Sequence, residues 1–253
     1  RRLLTRDDTG PREWRFDEIV SAAGWTGRDT LLIASETRLF EFNLETGASG
    51  TVCPLEAENP QTRSNDGRAD PHGGFCIGTM GKAAEKRAGA IYRYHRGELR
   101  LLFARITIPN SICFAPDGSR AYFADTLSRG IMTQPLDARG WPRGEPETFV
   151  DLRAEALNPD GSVTDAHGNL WNAQWGARRV AGYGPGGEFL AAHGFPARHT
   201  SCPALGGPDL ATMYCTTAQE HLAPEILAAE PENGQTFAVE TATRGWPEPK
   251  VQR

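Results

Sequence analysis

No stretch of the 253-residue sequence approaches the run of about 18 apolar residues that a membrane-spanning helix needs. Basic charge is not in excess either. Lys plus Arg number 27 against 32 Asp plus Glu, a net charge of −5, and mean hydropathy is −0.48. That balance argues against nucleic acid or an anionic membrane as the main partner, since both reward basic patches. Cysteine is sparse: Cys53, Cys76, Cys113, Cys202 and Cys215 are odd in number and widely spaced, with no C-x-x-C pair. They make a poor disulfide framework and a poor zinc cluster, and read as small buried apolar residues in a reducing, cytoplasmic setting. Helical periodicity is confined to scraps such as "FDEIVSAA" and "TAQEHLAPEIL", which excludes coiled coils and helical solenoids. No H-E-x-x-H or G-x-S-x-G occurs, and "GTMGKAAEKRAGA" lacks phosphate-loop spacing. The doublet Arg1-Arg2 leads into Arg6, Asp7 and Asp8 rather than an apolar stretch, so it is not read as a twin-arginine export signal.

What is abundant is turn chemistry, with 28 Gly and 18 Pro. The turns recur with a period. "WTGRDTLLIAS", "DPHGGFCIGTM", "APDGSRAYFADT", "DAHGNLWNAQWG" and "GGPDLATMYCTTA" each pair a polar turn with a short β-rich strand. Aligning Leu31, Phe75, Tyr122, Leu170 and Met213 gives steps of 44, 47, 48 and 43 residues. A period in the forties with several strands per unit is that of β-propeller blades. Five units are visible, and Arg1–Phe16 reads as two outer strands of one more. The expectation is an all-β, six-bladed β-propeller forming one domain over residues 1–253, with residues 1–25 the remainder of an incomplete first blade.

In such a fold the segments leading into the innermost strands gather around the axis. Counting eight residues back from Gly73, Gly118 and Gly168 reaches Asn65, Asn110 and Asp160. Asn and Asp favour turns before strands, but three oxygen-bearing side chains at one register suit a hard divalent cation. Arg63, two residues before Asn65, faces the same side of an extended segment and can bind substrate oxygens. The loop "GKAAEK" is a candidate lid, with Lys82 and Glu85 near substrate. His72 and His167 fall in turns at the far end of the inner strands. Trp171 and Trp175 read as packing between blades, with lining the channel the alternative for Trp175.

The strings "RSNDGRADPHGGFCIGTMG", "PNSICFAPDGSRAYFADT", "PDGSVTDAHGNLWNAQWGARRV" and "SCPALGGPDLATMYCTTA" resemble the regucalcin/gluconolactonase (SMP-30) family, in its bacterial sugar-lactonase branch. The likeness runs from about Gly24 to Gly245. It implies a six-bladed propeller with one catalytic divalent metal (Ca, Zn, Mn, Mg or Fe) that hydrolyses aldonolactones. The family's metal ligands fall on Asn110 and Asp160, with Asp160 also the general base, and its substrate-binding pair falls on Arg63 and Asn65. The family's further ligand, a first-blade glutamate in a Gly-Glu-Gly-Pro-like motif, has no match in this chain, and Glu18 in "FDEIV" stands elsewhere. The expected partner is a small sugar lactone. A promiscuous esterase or phosphotriesterase and a non-catalytic Ca²⁺-binding propeller are the rival readings.

Overall fold

A computed structural model describes residues 1–7 and 9–252; Asp8 and Arg253 lie outside the described residues. The chain is almost entirely β and divides into two compact units. The first comprises Arg1–Pro109 and Pro249–Arg253, the second Asn110–Glu248.

The first unit opens with a two-stranded hairpin, β1 (Arg2–Asp7) and β2 (Gly10–Arg15). Next comes a four-stranded antiparallel meander, β3 (Val20–Trp25), β4 (Thr30–Ser35), β5 (Arg38–Asn43) and β6 (Ser49–Pro54). A second meander follows, β7 (Thr62–Ala69), β8 (Phe75–Gly81), β9 (Gly89–His95) and β10 (Glu98–Ile106). The second unit repeats the pattern with β11 (Pro109–Phe114), β12 (Arg120–Asp125), β13 (Gly130–Pro135) and β14 (Glu147–Asp151). Strands β15 (Asn158–Thr164), β16 (Leu170–Trp175), β17 (Arg179–Tyr183) and β18 (Phe189–Gly194) form the next sheet. The last sheet has three strands, β19 (His199–Gly206), β20 (Thr212–Ala218) and β21 (Thr236–Glu240), with a short helix α1 (Pro224–Ala229) between the last two.

These meanders are propeller-type blades. Leu31, Phe75, Tyr122, Leu170 and Met213, matched by the sequence period, each fall in the second strand of a sheet. The expected count of six blades is corrected to five. Among the described residues four sheets have four strands and one has three, while the Arg2–Arg15 hairpin is a sheet of its own, with two strands. Residues 1–25 do not form one remnant, because Val20–Trp25 pairs with β4 and belongs to the following sheet.

Burial explains the periodic apolar strings. The second strands of the first unit are enclosed on both faces: β8 is buried at every residue and β4 at all but its first. Outer strands such as β6 and β18 are largely exposed. Cores form between neighbouring sheets within each unit. Leu32, Leu39, Leu55, Phe75, Ile77 and Tyr94 make one in the first unit, and Tyr122, Ile131, Val150, Leu170 and Tyr183 one in the second. A side chain of this kind, fully buried, contributes about 1.5–3 kcal/mol. The hairpin is held by Trp14 and Phe16, which meet Phe40 and Phe42 edge-on at 5.1–6.2 Å.

The turns leading out of β7 and β15 are each fixed by an aspartate and a glycine. Asp70 Oδ1 accepts the His72 and Gly74 amides at 2.8 and 3.0 Å. Asp165 Oδ1 accepts those of His167 and Asn169 at 2.9 and 3.0 Å. Gly73 and Gly168 supply the φ of +83° and +82° these turns require. His167 is exposed there and His72 is half-buried. Cys76, Cys113 and Cys215 are buried in strands, while Cys53 and Cys202 are half-buried. Among the described residues no helix is long and apolar enough to cross a membrane.

Candidate active site

Two of the candidate residues, Asn65 and Asp160, sit where first strands lose their regular pairing. Register slips between Ser64 and Gly67 in β7, and between Pro159 and Ser162 in β15. Asn65 and Asp160 lie within those bulges. Asn110 stands in β11 just before Ser111, whose φ is +59°. A bulge adds a residue on one strand and re-aims its side chain. Two further positions share this register: Ser21, in the slip between Val20 and Ala22, and Ser201, in the slip between Thr200 and Cys202. The eight-residue offset misses both because their following turns have other lengths.

In the first unit, Arg63 Nη1 donates to its neighbour's carbonyl, Ser64 O, at 2.9 Å and to Asn65 Oδ1 at 3.0 Å. Asn65 Nδ2 in turn donates to Pro109 O at 3.0 Å. The structure thus joins the expected Arg–Asn pair directly. Lys82 is placed differently. Its amide donates to Gln61 O at 2.8 Å, beside the start of β7, but its ammonium pairs with Glu36 at 2.5 Å. Glu85 accepts the Ala83 amide at 3.0 Å within the same loop. Glu18 is engaged by Thr37 and Arg38. Burial works to raise its pKa, but hydrogen bonds from Ser35, Thr37 and Arg38 outweigh it and hold the carboxyl below the ordinary value.

In the second unit, Asn110 is buried. Its Nδ2 donates to Thr126 Oγ1 at 2.8 Å, and that hydroxyl donates to Pro159 O at 2.8 Å. The relay ties Asn110 to the residue preceding Asp160. The bulge at Asp160 is clamped from behind. Ser111 Oγ and Asn172 Nδ2 donate to Asp160 O at 2.7 and 3.0 Å, and Asn172 Nδ2 also reaches Ser162 Oγ at 3.0 Å. A β-carbon placed on Gly161 would lie 2.7 Å from Cys202 Sγ and 2.8 Å from Ser201 O, so the β15 and β19 bulges abut. Asp160 also acts on Cys215, whose thiol is pushed up to about 12, mainly by burial and further by that carboxylate. Ser111 and Asn172 carry no signal in sequence beyond being polar residues in otherwise apolar strands, and Thr126, in the turn just after β12, carries none beyond its hydroxyl.

The donor types fit a hard divalent cation. The relay holds the nitrogen of the Asn110 carboxamide, which also carries an oxygen of the hard-ligand type, and Asp160 brings a carboxylate on the next sheet. Among the described residues no three His, Cys, Asp or Glu side chains converge on a metal position. The fit therefore rests on an amide and a carboxylate.

Residues 2–219 match the model of the family described as SMP-30/gluconolactonase/LRE-like region. The chain is 39% identical over 240 residues to the L-arabinolactonase of Azospirillum brasilense, covering 92% of this chain and 78% of that one. It is 34% identical over 209 residues to the 6-deoxy-6-sulfogluconolactonase of Pseudomonas putida, covering 80% and 71% respectively. A crystal structure of regucalcin from Agrobacterium tumefaciens, described as a calcium-binding protein, superposes with a TM-score of 0.94 at 41% identity, covering 96% of this chain and 83% of that one.

Proposed function

The chain belongs to the SMP-30/gluconolactonase/LRE-like family, a premise from which we propose that it hydrolyses an aldono-1,4- or 1,5-lactone to the sugar acid with one divalent metal. Relatives named for lactonase activity place it among the lactone-hydrolysing, carboxylic ester hydrolases. The observation that carries the finer reading is the pair Asn110, held by the Thr126 relay, and Asp160, set in a clamped bulge of β15, two oxygen-bearing side chains on neighbouring first strands.

In this reading Asp160 and Asn110 hold the cation. A bound divalent ion supplies Lewis-acid polarisation of the lactone carbonyl. Asp160 accepts a proton from the attacking water, and the Ser111 and Asn172 donors keep its main chain from shifting as charge changes at the carboxyl. Arg63 and Asn65, already hydrogen-bonded to each other, donate to ring hydroxyls and orient the substrate. Lys82 carries two N–H donors besides the one that meets Glu36, and we assign it to a substrate oxygen as well.

The test follows acid release from a panel of aldonolactones with a pH indicator, after chelator treatment and with each divalent cation restored. Calcium comes first, given the description of the solved regucalcin relative. Turnover that disappears with chelator, returns with metal and is abolished in Asp160→Ala is the expected result. Metal-linked stabilisation without acid release from any lactone would overturn the reading in favour of a binding protein.

A further inference from the structure

His199 opens β19 two residues before the Ser201 bulge, the same spacing by which Arg63 precedes Asn65 in β7. Its neighbour Thr200 is fully buried and donates to two main-chain oxygens, Gln174 O at 3.1 Å and Arg179 O at 2.9 Å. This start of β19 is therefore fastened to the ends of β16 and β17. Across the gap the imidazole stacks on the Trp175 indole, with ring centres 4.3 Å apart and planes within 7°. Nδ1 is enclosed and has no hydrogen-bond partner. A buried N–H without an acceptor is more costly than a bare lone pair, so the ring proton belongs on Nε2. Burial, with Arg198 and His221 nearby, holds the imidazole below its ordinary pKa against an opposing pull from Glu220. The ring is a neutral donor, fixed in plane and aimed by its stack. It stands beside the Asp160 bulge, because Gly161 abuts Ser201 and Cys202.

An ion-paired or fully hydrogen-bonded histidine would be a packing residue. This one has one nitrogen enclosed and unused, leaving Nε2 as the nitrogen that can meet a ligand. Trp175 is half-buried, and its neighbour in the pairing, Asn158, begins the inner strand β15. An indole and a neutral N–H donor side by side are the chemistry that recognises a polyhydroxylated ring, through apolar contact with C–H groups and a hydrogen bond to a hydroxyl.

We infer that His199, held by Trp175, is a specificity-determining residue that donates from Nε2 to a ring hydroxyl of the lactone. This rests on the lactonase reading and adds to it the contact that separates a sugar lactone from a plain one. The test compares gluconolactone with δ-valerolactone, the same six-membered ring without hydroxyls, in wild type, His199→Ala, His199→Gln and Trp175→Leu. The quantity read is the ratio of KM for gluconolactone to KM for δ-valerolactone. His199→Ala is expected to raise it about tenfold, the scale of one lost hydrogen bond. His199→Gln, which keeps a donor, restores most of the ratio, and Trp175→Leu raises it in the same direction. Thermal unfolding of each variant checks that it is folded. An unchanged ratio in folded, active His199→Ala would overturn the inference alone. A wild type inactive on both lactones would overturn the lactonase reading and this inference with it.

Discussion

The Asn172 carboxamide, fully buried in β16, donates to the main-chain oxygen of Asp160 at 3.0 Å. Its Nδ2 also lies within 3.1 Å of Ser111 Oγ and 3.0 Å of Ser162 Oγ, so one amide group ties two neighbouring first strands to the bulge that carries the proposed base. A protein needs no such clamp to hold an ordinary strand together, since the ladder does that. It needs one where the ladder has been broken by a bulge.

Asn172→Ala removes the clamp and leaves buried acceptors unpaired. The expected cost is about 1–3 kcal/mol of folding stability. Activity is expected to fall further than stability accounts for, by about tenfold or more in kcat, because Asp160 loses its fixed position. Asn172→Asp keeps the shape but turns an acceptor toward the Asp160 and Gly161 carbonyls, and is expected to be the worse of the two. Urea unfolding and steady-state kinetics on the same preparations check both; a variant with wild-type kcat would show that the clamp serves packing only.

The relay from Asn110 through Thr126 to Pro159 makes a second prediction. Thr126→Val keeps the volume but removes the hydroxyl that holds Asn110 Nδ2. Loss of a hydrogen bond behind a metal ligand commonly costs 10–100-fold in affinity. Calcium titration by calorimetry is expected to show about that loss for Thr126→Val, and a greater one for Asn110→Ala. Asn110→Asp adds a carboxylate and is expected to tighten binding. Equal affinity in all of these proteins would remove Asn110 from the site.

The repeat and the strand positions were legible because turn residues recur at blade spacing, and in two blades an aspartate accepts two amides beside a glycine at positive φ, at Asp70 with Gly73 and at Asp165 with Gly168. Asn65, Asn110 and Asp160 were legible because they keep one distance from such turns. Ser21 and Ser201 share the register but not the distance, so they stayed hidden. The blade count failed at Val20–Trp25, where pairing with β4 is a long-range choice that local pattern does not encode. Ser111, Thr126 and Asn172 were invisible for another reason: a buried hydroxyl or amide shows its purpose only through the partner that folding brings to it. Lys82 illustrates the converse, since its nearest anion, Glu36, lies 46 residues away in sequence.

Gly161 is the point where two bulges touch. Its β-carbon position lies within 3.0 Å of Cys202 Sγ, Ser201 O and Cys202 Cα, two of which are main-chain atoms that cannot step aside cheaply. Gly161→Ala is therefore expected to cost about 1–3 kcal/mol by overpacking and to displace Asp160 with it. Gly130→Ala is the control, since its nearest contact is 3.9 Å away. Thermal melts of the two variants should separate clearly; matching melts would mean the bulges part without strain.

The last prediction concerns acid. Glu36 is held below the ordinary carboxylate value, first by its hydrogen bond with Lys82 and then by the Ile19 amide at 2.9 Å. A carboxyl whose folded pKa is depressed stabilises the protein above its unfolded pKa, and that contribution is lost as pH falls through the folded value. Lys82 is 38% exposed in its side chain, so the pair contributes on the order of 0.5–1 kcal/mol. Lys82→Met is expected to lose about this much at pH 7. The difference from wild type should shrink as pH drops below about 4.5 and vanish once Glu36 is protonated in both. Added salt should narrow the gap at pH 7 but not at the acidic end. Chemical denaturation across that range decides it, and the same variant, assayed for lactone KM, shows whether Lys82 serves substrate as well as Glu36. A stability gap that persists unchanged to pH 3 would mean that Lys82 acts through the packing of its aliphatic stem rather than through its charge.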